Sequence, residues 1–254
     1  MSPMGTAAFR NIRALVARDL AGVVRNPTVL MSCTVGVILT VFIGSIVAQS
    51  SRLAPHEAAA FSAVTTFVIA PAFADCVVEL YAMAEERERD VYLTLAEAGV
   101  GAGEIAVSKW LAAAIATLVV QAIACLVGGF APAGTVRLLA LSCVAVQPLL
   151  LTGLACGLTA REQMSSSLLA VPLTLVAVAP ILAFMSDTVR ALTWPLVLGP
   201  AAEVLCMAWG MVPAAPVPAL AVLMALWTIA AAVAAWWTCR RFARELAAER
   251  DRLA

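Results

Sequence analysis

The chain has 254 residues, of which 63% are hydrophobic and 13% are charged. Soluble domains carry about one quarter charged residues, so this composition excludes an ordinary water-soluble fold and predicts an integral membrane protein. The sixteen basic and sixteen acidic residues cancel, which gives no support for a nucleic-acid partner. The seven cysteines have no CxxC spacing and lie mostly in apolar runs, as buried thiols do, which argues against a disulfide framework or a metal site.

Residues 1–26 are predicted to form an amphipathic helix that lies along the membrane interface. Asn26 and Pro27 then end this helix. Apolar residues repeat at helical spacing on one side and charged residues occupy the other, namely Phe9, Ile12, Leu15, Val16, Leu20 and Val23 against Arg10, Arg13, Arg18 and Asp19.

The next part of the chain contains six apolar stretches, each of about 20 residues, the length that crosses the hydrocarbon core as a helix. We therefore expect an all-α membrane protein with one transmembrane domain, residues 1–254, and both termini on the same side. The six transmembrane helices are expected at 28–49, 58–83, 111–130, 138–160, 168–185 and 219–239.

The basic residues predict the orientation, because Lys and Arg close to span ends stay in the cytoplasm. With the N-terminus inside, thirteen basic residues, Arg161 among them, lie in cytoplasmic segments, and only Arg52, Arg137 and Arg190 lie outside. This predicts a multi-pass protein of the cytoplasmic membrane with both termini, including the charged tail 240–254, in the cytoplasm.

Residues 186–218 are apolar enough to suggest a seventh span, but proline and glycine interrupt them. Gly199-Pro200 lies near the centre of this segment, and Glu203 follows it. A seventh span would also carry the arginines of the tail outside. We therefore expect a broken outer helical hairpin before the sixth span, made of two half-length helices that hinge at Gly199-Pro200 and re-enter the outer leaflet.

Residues 84–110 form the long charged interruption between the two hydrophobic halves and are predicted to be cytoplasmic. Glu85 and Arg89 form a favourable i,i+4 pair, and three glycines between 99 and 103 end the helix that these residues begin. A short helix and a glycine turn are therefore predicted between two spans. The apolar face of that helix carries Val91, Leu95 and Ala98.

Four polar residues within the predicted spans are candidates for lining a pathway, namely Asp75, Glu79, Gln121 and Gln147. A carboxylate near the centre of a membrane helix costs about 2.5–3.5 kcal/mol on insertion scales, so Asp75 and Glu79 must face protein or a watery cavity. They either line a pathway, pair with an arginine of the surface helix, or form hydrogen bonds near the cytoplasmic boundary. For the two glutamines we expect hydrogen bonds between helices.

No nucleotide site or catalytic centre is evident in the sequence. A phosphate-binding loop of the form GxxxxGK[ST] needs a lysine, and the chain's only lysine, Lys109, stands between Ser108 and Trp110. A membrane-protease motif EExxxR starting at Glu85 fails because Asp90 occupies the arginine position. The single histidine, His56, lies in a predicted outer loop, which leaves no partners for a metal site or a serine hydrolase. We expect a non-catalytic chain that binds no cofactor and no metal itself.

The six-span layout and the loop after the second span resemble the permease subunits of type-2 ATP-binding cassette (ABC) exporters. In that family the loop commonly reads Glu-Arg-x-x-Gly-Thr, then a leucine-rich turn, a proline, and Gly-Lys before the third span. The matching residues are Glu88, Arg89, Leu95 in the leucine-rich turn, the acidic-aliphatic pair Glu104-Ile105, and Lys109. The departures are Asp90-Val91 in place of Gly-Thr, Gly99 in place of the proline, and Ser108 in place of the glycine.

This resemblance implies that the helix around Asp90 to Ala98 is a coupling helix that sits in a groove of a separate ATPase subunit. It implies two copies of that ATPase, which would bind ATP and magnesium, and a second permease copy or a homologue that completes a dimer. The chain would then export a substrate. The residues implied at the coupling contact are Glu88, Arg89, Asp90, Tyr92, Leu95, Glu104 and Lys109.

Two alternatives stay open. One is an ABC importer permease, whose cytoplasmic loop would carry an EAA-type pattern with a different spacing. The other is a membrane scaffold that transports nothing and recruits a cytoplasmic partner.

Overall fold

A computed structural model describes residues 3–49, 53–160 and 162–253. Every regular element in these ranges is helical, which confirms the all-α expectation. A π-helical segment, Cys76–Tyr81, follows α3, and a 3₁₀ segment, Ala179–Phe184, follows α9. The α-helices are α1 (Pro3–Arg25), α2 (Pro27–Ala48), α3 (Pro55–Asp75), α4 (Ala82–Glu88), α5 (Val91–Glu97), α6 (Ala102–Val127), α7 (Pro132–Ala145), α8 (Gln147–Thr159), α9 (Gln163–Val178), α10 (Asp187–Thr193), α11 (Gly199–Ala208) and α12 (Val217–Leu253).

Within the described ranges, four helical stretches are long and apolar enough to cross a membrane, and a bent pair of helices would make a fifth. The predicted fifth span corresponds to Leu168–Phe184, a shorter apolar helix. Six spans and their orientation therefore stay a prediction, and two arginines that bear on it, Arg52 and Arg161, lie outside the described residues. The four stretches are Pro27–Val47, Pro55–Glu88, Ala102–Val127 and Val217–Arg252, and the bent pair is Pro132–Ala145 with Gln147–Thr159.

The predicted break between the first two helices is confirmed. Asn26 caps α2, because its side-chain oxygen accepts hydrogen bonds from the backbone N–H groups of Thr28 at 3.0 Å and Val29 at 3.4 Å. Pro27 occupies the first position of α2, where no N–H is needed. One residue of the predicted charged face of α1, Asp19, does not face water. The side chain of Asp19 is only 6% exposed, because it turns towards α6 rather than water.

Helix α3 continues through Pro71 because a neighbouring side chain replaces the missing backbone donor. Pro71 has no N–H, so the Phe67 carbonyl loses its usual partner in the helix. Gln121 of α6 donates to this carbonyl from Nε2 at 3.2 Å. The expected interhelical hydrogen bond of Gln121 is thereby confirmed, and the helix reaches Asp75 intact before it widens into the π-helical segment.

The stretch predicted as the fourth span is two helices, α7 and α8, which meet at an angle of 48°. Pro148 in the first turn of α8 cannot continue the hydrogen-bond ladder of α7. Trp110 of α6 donates from Nε1 to Gln147 Oε1 at 2.9 Å, and Gln147 donates from Nε2 to the Cys143 carbonyl at 2.9 Å. Gln147 therefore fastens the bend to α6, as expected for an interhelical hydrogen bond.

The predicted third span lies within the longer helix α6. Helix α6 starts at Ala102, directly after the glycine turn. Ile105 and Ala106 are buried in its first turns, so packing extends the helix beyond its apolar core. Glu104 and Lys109 consequently belong to α6 and not to the loop before it.

Two short helices, α10 and α11, occupy the segment 186–218, and neither is long enough to cross a membrane by itself. The turn between them ends at Gly199, where a β-carbon would collide with the carbonyl oxygens of Thr193 and Trp194. Arg190 of α10 contacts both carboxylate oxygens of Glu203 of α11, with Nε 2.8 Å from Oε1. This ion pair closes the hairpin.

Helix α12 joins the predicted sixth span and the charged tail without a break. It has 37 residues, which corresponds to a length of about 55 Å. Its last third turns Phe242 and Leu246 inwards against α5 and α8. The tail is therefore packed on the rest of the chain and does not project freely.

Candidate functional site

The connection from α4 to α6 places a short helix between two long apolar helices. Helix α4 ends at Glu88, and Asp90 then adopts a left-handed conformation with φ of 54°. Helix α5 follows, and Gly99, with φ of 83°, turns the chain towards α6. Left-handed backbone is easy for glycine and tolerated by aspartate. The predicted short helix and glycine turn are confirmed, but Asp90 divides the helix into two pieces.

Lys109 lies in a buried ion cluster where this connection joins α6. Its Nζ is 3.1 Å from Asp19 Oδ1 and 2.6 Å from Glu86 Oε2. Arg18 reaches the same two carboxyl groups at 2.9 Å each. Only 4% of the Lys109 side chain is exposed. Because a buried charge is stable only with partners, this cluster holds α1, α4 and α6 together.

The electrostatics of Arg18 reflect the same cluster. Burial by itself would lower the pKa of Arg18, but the adjacent carboxylates of Glu86 and Asp19 outweigh it and raise that pKa. The guanidinium therefore stays charged and balances the second carboxylate of the cluster.

Three further contacts surround the ion cluster. Asn26 donates to Glu85 Oε2 at 3.1 Å, and Asn11 donates to Glu104 Oε2 at 3.0 Å. Arg89 lies 2.7 Å from Glu85 Oε1, which is the i,i+4 pair predicted from the sequence. Both asparagines precede α2, so the N-terminal part of the chain contacts each end of the α4–α6 connection.

Helix α5 packs on the tail of α12 through an aromatic contact. The rings of Tyr92 and Phe242 meet edge to face, with centroids 5.4 Å apart. The Arg87 guanidinium lies 5.3 Å above the same Phe242 ring. Arg87 also donates to the carbonyl groups of Leu158 and Ala160 at 3.1 Å each. Arg87 and Tyr92 thereby join the end of α4 and the start of α5 to the tail of α12 and the end of α8.

Tyr92 is the buried residue of α5, with 4% exposure. Its burial raises the pKa of the hydroxyl well above the ordinary value, and the charge of Glu86 adds to this effect. The hydroxyl therefore stays protonated and donates to the Met83 carbonyl at 3.4 Å. The predicted apolar face is correct for Leu95, which packs against the same cluster, and wrong for Ala98, which is exposed. The residue that α5 buries most is Tyr92, which faces Phe242 of α12.

The side of the α4–α6 connection that faces solvent carries charged residues. Glu88, Arg89 and Asp90 follow one another on this surface. Next to them, a groove of about 470 Å³ separates α5 from the tail of α12. Polar residues dominate its lining, which includes Arg87, Asp90, Glu245, Glu249 and Arg252.

The seven residues predicted at the coupling contact take three different positions. Two lie in α6 and contact the N-terminal part of the chain, two lie on the side of α5 that packs within the protein, and three are exposed. In that order they are Glu104 and Lys109, Tyr92 and Leu95, and Glu88, Arg89 and Asp90. The exposed charges of the predicted contact are therefore limited to the last three residues, while Tyr92 and Lys109 are packed inside the protein.

Asp75 and Glu79 are both fully buried, at the junction of α3 and the π-helical segment. The arginine of the surface helix that lies nearby, Arg18, pairs instead with Asp19 and Glu86. Within the described ranges Asp75 forms no ion pair, so the expected arginine partner is not observed for it. Pathway lining stays a prediction for both carboxyls.

The sequence did not predict the roles of Asp19 and Glu86 in the ion cluster, or of Phe242 as the aromatic partner of Tyr92. A signal was available for Asp19, which is the only acidic residue before Glu57 and lies among arginines. A single acid in a basic helix indicates a specific partner. No comparable signal marks Phe242, whose role depends on where α12 packs.

A scan against models of protein families finds no match, and a search of curated proteins finds none. The function is therefore inferred from the α4–α6 connection, the ion cluster and the exposed charges beside them.

Proposed function

We propose that this chain is the transmembrane permease subunit of an ABC-2-type transporter, and that it exports a substrate with ATP hydrolysed by a separate ATPase subunit. The observation that carries the proposal is α5, a short helix fastened at both ends to long apolar helices. The exposed charges directly before it, Glu88, Arg89 and Asp90, offer a contact surface, and the buried side of α5 is packed on the protein. Such a helix can pass a rigid-body motion from a partner to the spans.

Two sets of contacts make this transmission efficient. The cluster around Lys109 joins α4 to α6 and α1, so that the two ends of the connection move together. The contact between Tyr92 and Phe242 joins α5 to α12. A force applied at α5 therefore reaches α3, α6 and α12, because packed helices shift as units rather than deform continuously.

The partners that fit this role are two ATPase subunits, which supply ATP and magnesium, and a second permease copy or homologue. Glu88, Arg89 and Asp90 would meet the ATPase, where neighbouring opposite charges set register and recognition more than affinity. The predicted outer hairpin, which the ion pair of Arg190 and Glu203 closes, would cap the pathway.

The decisive experiment separates coupling from simple attachment. Two glycines inserted after Gly101 add freedom to the joint between α5 and α6 without removing a contact residue. We expect the ATPase to co-purify as before, while transport per ATP hydrolysed falls severalfold in proteoliposomes. The matched control is the same insertion after Gly129, at the other end of α6, which should leave coupling unchanged.

A second variant tests the contact surface itself. The double substitution Glu88→Ala, Arg89→Ala should reduce co-purification of the ATPase, because it removes charges at the proposed contact. The control is Arg250→Ala, Asp251→Ala, an exposed pair of opposite charges on α12. Both doubles should leave the folded chain intact.

Several results would overturn the proposal. Hydrolysis of ATP by the pure chain contradicts a permease that depends on a partner. Wild-type coupling and binding in both test variants would remove the coupling role from this connection. Substrate movement into the cytoplasm would favour an importer permease, and ATPase binding without any transport would favour a membrane scaffold.

A further inference from the structure

The buried carboxyl groups of Asp75 and Glu79 converge on one point of α8. A β-carbon placed on Gly153 would lie 2.8 Å from both carboxyl oxygens of Asp75 and 2.6 Å from Glu79 Oε2. The two carboxyl groups therefore border the same space, which a single methyl group would overfill. Neither residue has any exposed surface.

The carboxyl group of Asp75 is buried without a donor group to stabilise its charge. Both Oδ atoms of Asp75 are buried without a hydrogen-bond donor from another part of the described chain, and the side chain that this carboxyl meets is Glu79. A buried acid without such a donor is unstable as a carboxylate, because its charge is neither solvated nor paired. The carboxyl group of Asp75 is therefore stabilised in this position by a proton.

The cationic groups near this point are engaged elsewhere. From α6, Lys109 binds Asp19 and Glu86, and from α4, Arg87 binds the carbonyl oxygens at the end of α8 and Glu245. Helices α2 and α9 contain no acidic or basic residue. No basic side chain in the described ranges lies within ion-pair distance of Asp75.

The remaining titratable groups on the elements that pack against this region are acids, thiols and one phenol. From α4 these are Glu85, Glu86 and Glu88, from α6 Glu104 and Cys125, from the π-helical segment Tyr81, and from α2 Cys33. From α8, the Cys156 thiol is close enough to Asp75 to interact with it electrostatically. None of these groups can supply the positive charge that two buried carboxylates would require.

Two ionised carboxylates cannot coexist in this position. Two like charges that border the same small space repel each other strongly, and burial adds the cost of dehydration. We propose that Asp75 and Glu79 form a proton-binding site within the membrane, in which the pair holds one shared proton that it takes up and releases.

A proton fits this space better than a metal cation does. Ca²⁺ takes six to eight oxygen ligands, and Mg²⁺ needs a complete octahedron. In the described part of the chain, no group of three or more histidine, cysteine or acidic side chains could hold a metal ion. The space at Gly153 also excludes a hydrated ion, because a methyl group would not fit there. The π-helical segment, which follows Asp75 directly and contains Glu79, agrees with a functional site, where such segments are common.

The test uses the purified full chain in lipid nanodiscs, with dicyclohexylcarbodiimide as the probe. This apolar carbodiimide adds to a protonated carboxylic acid to give an O-acylisourea, which rearranges to a stable N-acylurea. No atom leaves, so the residue gains the mass of the whole reagent. Peptide mass spectrometry at a series of pH values then locates the adduct and measures its yield.

We expect an adduct on Asp75 or Glu79 whose yield falls about tenfold per pH unit once the site titrates. Glu203 is the matched control, because it is also buried but forms an ion pair with Arg190, and it should stay unlabelled. A protonated-carboxyl band in infrared difference spectra should accompany the labelling, and it should be lost or shifted in Asp75→Asn and Glu79→Gln.

Absence of an adduct at every pH, without a protonated-carboxyl band, would overturn the proposal. Protection by Na⁺ at constant pH would overturn it too, since the site would then bind a metal cation. The wild-type labelling does not depend on the folding of either variant. Because no ATPase is present, the result is also independent of the proposed transport function.

Discussion

Replacing Lys109 with methionine removes the cation between Asp19 and Glu86 and keeps a side chain of similar length. In the wild type, Nζ lies 3.1 Å and 2.6 Å from the two carboxylates, and the Lys109 side chain is 4% exposed. After the substitution, Arg18 is left as the cation that contacts both carboxyl groups. One negative charge of the cluster then lacks compensation in a buried position.

The expected loss follows from this geometry. At 3 Å and an effective dielectric constant of about 20, each contact is worth about 5 kcal/mol before dehydration is subtracted. Breaking a buried pair by removing one partner costs about 3–5 kcal/mol, and the remaining Arg18 places Lys109→Met at about 3 kcal/mol. For a chain of this size, that loss lowers the melting temperature by about 6–12 °C.

The assay is thermal unfolding in lipid nanodiscs at a fixed heating rate, followed by tryptophan fluorescence. Arg89→Met is the matched control, because its pair with Glu85 is 2.7 Å long but the Arg89 side chain is 72% exposed. An exposed pair of this kind contributes about 0.3–0.5 kcal/mol. The double variant Asp19→Asn, Lys109→Met removes one charge of each sign and should recover part of the lost stability.

Two results would refute this reasoning about the cluster. Equal shifts for Lys109→Met and Arg89→Met would mean that burial does not strengthen the Lys109 contacts. Strict additivity of Asp19→Asn and Lys109→Met in the double variant would mean that the two side chains do not interact. Lys109→Arg keeps the charge and should be milder than Lys109→Met.

Three further outcomes are expected. Gly157→Ala should destabilise the chain by about 1–3 kcal/mol in the same melting assay, because the new β-carbon would lie 2.7 Å from the backbone carbonyl oxygen of Glu79. The control Gly103→Ala has open space around its β-carbon and should be neutral or stabilising. Phe242→Ala should cost about 3–5 kcal/mol and speed hydrogen exchange in α5, which loses its aromatic partner; unchanged exchange would contradict that contact. Single cysteines at Ser51, outside the described residues, and Ala102 should be labelled from opposite sides by an impermeant thiol reagent, and same-side labelling would contradict the six-span topology.

Local features of the sequence predicted the helical architecture well. The Asn26-Pro27 break, the glycine turn after residue 98 and the division of residues 186–218 all follow from residues that restrict or free their own backbone. The same holds for the pair between Glu85 and Arg89, because residues four apart meet on any helix. Such features depend on neighbours in the chain and need no knowledge of packing.

Other boundaries were beyond local reasoning. The sequence indicated an apolar stretch at 138–160 with Pro148 inside it, but the contact that fastens the bend comes from Trp110 of another helix. The start of α6 at Ala102 depends on burial of Ile105 against a cluster that includes the tail of α12. A hydrophobic pattern measures composition along the chain, whereas these outcomes depend on which helix lies opposite.

The sequence by itself determined that this is an all-helical chain with long apolar helices, a charged connection between them and two acids one turn apart in an apolar segment. Only the tertiary structure decided that Lys109 meets Asp19, that Tyr92 meets Phe242, and that Asp75 faces Gly153. The physical reason is distance along the chain. Periodicity and backbone preference act over a few residues, whereas charge pairing and close packing between helices depend on how the whole bundle is assembled.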